Sequence, residues 1–104
     1  MYDTAEFDAL RREYLQGAIE RAEHLQQQAE ELRVGAQVDL KALRQEIHKL
    51  RGSGGFYGYK ALSEAAARAE DTLILVLDDE LDRNDQQIAD LVQQVVDAVS
   101  EAAK

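Results

Sequence analysis

His48-Lys49-Leu50-Arg51-Gly52-Ser53-Gly54-Gly55-Phe56-Tyr57-Gly58 carries an amphipathic helix into a glycine-rich turn, and the rest of the chain reads outward from it. Upstream, Leu40, Leu43, Ile47 and Leu50 recur at spacings of three and four, so they share one apolar helix face. At about 100° per residue, His48 falls roughly 120° from the middle of that face and is expected to point to solvent. Arg44, Gln45, Arg51 and Gly52 are its neighbours three and four residues away. The spacing predicts a helix over residues 38–53, which Gly52 to Gly58 end with a tight turn.

Upstream of this helix, residues 4–34 read as helical. Phe7, Leu10, Tyr14, Ala18, Ala22, Leu25, Ala29 and Leu32 form the apolar stripe, and Gly35 provides the stop. Gly17 marks a place where this segment could kink or break, leaving either one long helix or a short one and a longer one. Downstream, a third helix is expected over residues 59–77, with Leu62, Ala65, Ala66, Ala69, Leu73, Val76 and Leu77 inward. The apolar run from Leu73 to Leu77 reads as a helix end wrapped by its neighbours. Residues 78–83 form an acidic connection. In the last helix Asn84 is the expected N-cap, Gln87 takes the capping-box position, and Ile88, Leu91, Val92, Val95, Val96 and Val99 stay in register. Four such segments with short connections predict an all-α fold, an antiparallel up-down four-helix bundle, in a single domain over residues 1–104.

Composition narrows the function. The 104 residues include no Cys, which excludes disulfides and thiolate metal sites, and no Pro, which suits long helices. No apolar run reaches the length of a membrane span, the first residues do not read as a signal peptide, and the cytoplasm is the expected compartment. A net charge of -9 argues against nucleic acid or an anionic membrane as partner. The charge is uneven, however. Lys41, Arg44, Lys49, Arg51 and Lys60 face a single acid, Glu46, between residues 41 and 60. That local positive patch is centred on His48 and suits a phosphoryl group or an acidic partner surface.

An exposed imidazole with one neutral ring nitrogen is a competent nucleophile toward phosphorus near neutral pH. Cations alongside it and glycines that leave room for a visitor complete the pattern. The segment resembles the histidine-containing phosphotransfer (HPt) domains of bacterial two-component phosphorelays. The family pattern has a phosphorylatable His, a hydrophobic residue two on, a cation three on, and glycines four and ten on. Here these positions hold His48, Leu50, Arg51, Gly52 and Gly58. The wording around Gly55 to Tyr59 is also similar to the HPt-like first domain of chemotaxis histidine kinases.

The resemblance implies a phosphocarrier rather than an enzyme. His48 would accept a phosphoryl group from a receiver-domain aspartate and pass it to another receiver, while the aspartate and its magnesium ion belong to the partner. Arg51, helped by Arg44, would offset the phosphoryl charge. Gly52 and Gly55 would keep the approach open, with Gln45 and Gly58 also on the partner-facing surface. Glu70 matches the family glutamate that hydrogen-bonds the second ring nitrogen of the histidine. The expected partners are receiver domains of response regulators and of a hybrid kinase, and a monomer is expected. A second reading within the family is the phosphoacceptor domain of a chemotaxis-like kinase, charged from ATP by a separate kinase domain. Outside the family, a helical adaptor or dimerisation module without phosphotransfer fits the same pattern of helices.

Other signals are weak. His24 among Glu20, Glu23 and glutamines reads as a solvated helix histidine, and two histidines without further ligand spacing do not make a metal site. Gly52 to Gly55 lacks both the preceding strand and the Lys-Ser/Thr ending of a nucleotide loop, and no Ser-His-Asp arrangement is visible.

Overall fold

Four helices make up the chain in this computed structural model, which describes residues 3–104: α1 (Thr4–Arg33), α2 (Leu40–Phe56), α3 (Lys60–Leu77) and α4 (Asp85–Ala102). Their short connections send them up and down in turn, so the expected all-α bundle is the one observed. Asp3, Asp39 and Asn84 cap α1, α2 and α4 by accepting backbone N–H groups of the first turn. Asn84 is the cap expected from sequence, and its side chain accepts the N–H of Gln87 at 3.0 Å.

Each of the first three helices ends in the same way. Gly35, Gly58 and Asp79 lie at positive φ, at 77°, 82° and 58°. The next residue then turns its N–H back into the helix: Ala36 to Glu31 O, Tyr59 to Gly54 O and Glu80 to Leu75 O. Asp79 makes this turn without glycine, so sequence offered no stop signal there.

The core is built from the predicted stripes. Leu25, Leu32, Leu43, Ile47, Leu50, Leu62, Leu73, Ile88, Val92, Val95 and Val99 are all fully enclosed. Ala18, Ala22 and Ala29 let α1 lie close against α4. Phe7 and Leu10 are only half-buried, and Leu77 is exposed, contrary to expectation. At about 1.5 Å per residue α1 is roughly 45 Å long, against roughly 27 Å for α3 or α4, so its first turns outrun the helices that would cover them. Leu75 is exposed too, so the Leu73 to Leu77 run is wrapped on one side only.

Of the two readings open at Gly17, the unbroken helix is the one observed: α1 runs straight through it, because the apolar stripe on either side outweighs the roughly 1 kcal/mol that one interior glycine costs. The expected bounds of α2 need correction. It starts at Leu40, with Val38 buried in the connection before it. It continues through Gly52, Ser53, Gly54 and Gly55 to Phe56. The glycines there do not form the turn; only Gly58 does. The helix persists because α3 packs against it: a Cβ on Gly54 would sit 3.3 Å from Leu62 Cγ, and one on Gly55 would sit 3.2 Å from Ser63 Oγ. Ser63 uses that closeness to donate its hydroxyl to Arg51 O at 2.8 Å.

Candidate functional site

His48 stands on the outer face of α2 beside the α2–α3 seam, and its side chain is 62 % exposed. Its Nδ1 lies 2.7 Å from Glu70 Oε2 on α3, which leaves Nε2 as the nitrogen at the exposed edge of the ring. Glu70 is the one buried charged residue among those described, with 2 % of its side chain exposed. Three basic side chains of α2 enclose it. Besides His48, Arg44 Nε lies 3.1 Å from Oε2, and Arg51 Nη1 donates to Oε1 at 3.1 Å. The His48 and Arg44 contacts fall off the hydrogen-bond axes, so Oε2 is held by charge more than by directed bonds.

The electrostatics follow. Burial pushes the Glu70 carboxyl pKa up, but the His48 contact, the Arg51 hydrogen bond and the charges of His48 and Arg44 outweigh it. The carboxyl is therefore held below its ordinary value and stays ionised. Glu70 in turn raises the Arg51 guanidinium pKa, mainly through their hydrogen bond. With the Glu70 carboxylate set against Nδ1, the neutral imidazole keeps its proton on that side and offers the Nε2 lone pair outward.

The structure brings the sequence candidates together unevenly. His48, Arg44, Arg51 and Glu70 form one cluster. Gly52 is exposed, with open space where a Cβ would be, and Gln45 is exposed one turn before His48. Gly55 is not simply an open path, because Ser63 packs against it. Gly58 serves the turn. Arg51 is not a free cation: its Nη1 also donates to Asp71 Oδ1 at 3.1 Å. About half of the positive patch read from residues 41–60 is thus offset by Glu70 and Asp71 of α3, which sequence distance concealed. The seven-residue spacing of Arg44 and Arg51 puts both on one face and was the available hint.

His24 supplies an internal contrast. It is 57 % exposed on α1, and its Nδ1 lies 3.2 Å from both carboxylate oxygens of Glu46 on α2. The imidazole–carboxylate pairing therefore occurs twice. What His48 has in addition is the arginine pair and the open position at Gly52. At the end of α2 a second unforeseen feature appears. Tyr57 stacks between Phe7 and Tyr14 at 6.0 and 4.6 Å, Arg11 Nε donates to Tyr57 O at 2.7 Å, and the Tyr14 and Ser53 hydroxyls meet at 2.8 Å. These contacts clasp α1 to the helix that carries His48.

A family model described as the Hpt domain matches residues 9–102, which takes in α1 from its second turn on, the other three helices and the whole His48 cluster. The chain belongs to the Hpt domain family. Histidine phosphotransfer in phosphorelays is the work of such domains, which carry phosphoryl groups and interact with receiver domains of response regulators. Neither the search of curated proteins nor that of solved structures returns a match. No helix of this HPt domain, among the described residues, is long and apolar enough to cross a membrane.

Proposed function

We propose that this HPt domain is a phosphorelay intermediate whose phosphoacceptor is His48. The observation that carries the reading is the exposed imidazole with Nδ1 set against buried Glu70. In the forward step Nε2 attacks the phosphorus of an aspartyl phosphate on a receiver domain. The Nε2–P bond forms as the P–O bond to the aspartate breaks, and the carboxylate leaves with the bonding pair. The ring then carries a positive charge with its Nδ1 proton facing Glu70, which stabilises it. Attack by a second receiver's aspartate reverses these bond changes. Magnesium and the aspartates are contributions of the receivers, and Arg51 and Arg44 lend positive charge as phosphoryl oxygens approach.

The test is phosphoryl transfer from a labelled receiver domain. His48→Gln should abolish an acid-labile, base-stable label, whereas His24→Gln should retain it. Retention in His48→Gln overturns the assignment. Charging by a separate kinase domain and ATP, with none from a phosphorylated receiver, would favour the chemotaxis-kinase alternative.

A further inference from the structure

One nitrogen of Arg51 serves two carboxylates. Its Nη1 lies 3.1 Å from Glu70 Oε1 and 3.1 Å from Asp71 Oδ1. The two acids differ in kind. Glu70 is buried and engaged at its other oxygen by His48 and Arg44. Asp71 is 66 % exposed, and Arg51 is its one ion-pair partner among the described residues. Charge within the cluster is finely set as a result. Arg44 and Arg51 are balanced by Glu70 and Asp71, whereas without Asp71 one positive charge would stand uncompensated beside His48.

We propose that Asp71 is a positioning residue that competes with the phosphoryl group for Arg51 and so sets how much positive charge His48 offers. The inference rests on the reading of His48 as phosphoacceptor. A phosphoryl group on Nε2 brings nearly two negative charges and draws the guanidinium toward itself. To respond, Arg51 must loosen from Asp71. An exposed pair of this type is weak and screened by salt, so Asp71 biases the arginine without locking it. Loss of the acid leaves Arg51 held by Glu70 alone, still near the ring but with more charge available to an incoming phosphate.

Phosphoramidate tests this without a partner protein. His48 Nε2 forms the new N–P bond as the donor's P–N bond breaks, and ammonia leaves with the bonding pair. Loading of His48 is followed by peptide mass spectrometry, with far-ultraviolet circular dichroism to verify the helices. Asp71→Asn should load roughly two- to five-fold faster than wild type at low ionic strength, the range expected for releasing an exposed ion pair. The ratio should approach one as salt rises, and the acceleration should vanish in an Arg51→Ala background. Equal rates, or the same acceleration without Arg51, would overturn the competition. His48 loading with no Asp71 effect overturns this inference alone; failure of wild-type His48 to load overturns it together with the phosphoacceptor assignment.

Discussion

Glu70 is a side chain whose surroundings decide what it can do. A carboxylate with 2 % exposure survives there as an anion because two guanidinium groups and an imidazole converge on it. Glu70→Gln should therefore slow phosphoryl loading of His48 about ten-fold, the effect of losing about 1.4 kcal/mol of charge pairing with the ring. An unchanged loading rate would remove its orienting role. The lowered folded-state pKa has a second consequence. Stability contributed by the ionised carboxyl is complete above its ordinary value of 4.5 and is lost as pH falls through the lower folded value. Urea midpoints measured from pH 6 downward should fall less steeply in Glu70→Gln than in wild type; parallel curves would contradict the linkage.

The behaviour of the glycines belongs to whole helices. Gly17 and Gly52 sit inside α1 and α2 with open space at the Cβ position, so neither serves a turn or a close contact. Gly17→Ala should stabilise the domain by about 0.5–1 kcal/mol, read as a higher thermal midpoint. Gly52→Ala should do the same, and a lower midpoint for either would mean that its helix is interrupted. Gly54 faces the opposite constraint, because Leu62 crowds its Cβ position. Gly54→Leu should cost about 1–3 kcal/mol by overpacking the α2–α3 seam. A midpoint at or above wild type would show that the two helices are not so close. From sequence, Gly52 and Gly54 read with Gly58 as one turn signal, since composition alone cannot tell a helical glycine that admits a neighbouring helix from one that reverses the chain.

Across the whole molecule, the aromatic clasp compensates for the mismatch in helix lengths. The free first turns of α1 are tied down by Phe7, Tyr14 and Arg11 against Tyr57 and Tyr59. Tyr57→Ala should raise amide exchange in the first turns of α1, with little effect on α4. Uniform exchange changes would mean that the bundle, not the clasp, holds this end. The clasp also orders the end of α2 beyond His48, so the exposed ring stands on an anchored helix.

Local sequence determined the four helices, three of their boundary signals and the outward direction of His48. Period and capping act over a few residues, and burial of the apolar stripes then had few ways to be satisfied. Gly35, Gly58 and Asn84 were legible for the same reason: each does its work within one turn. Only tertiary structure decided that Glu70 is buried, that Arg44 and Arg51 pair with it, that Asp71 shares Nη1 of Arg51 with it, and that Gly54 admits α3. Those facts depend on which face of α3 meets which face of α2. Charge pairing across a seam is set by that rotation and by distances of a few ångströms, and no spacing along one helix contains them.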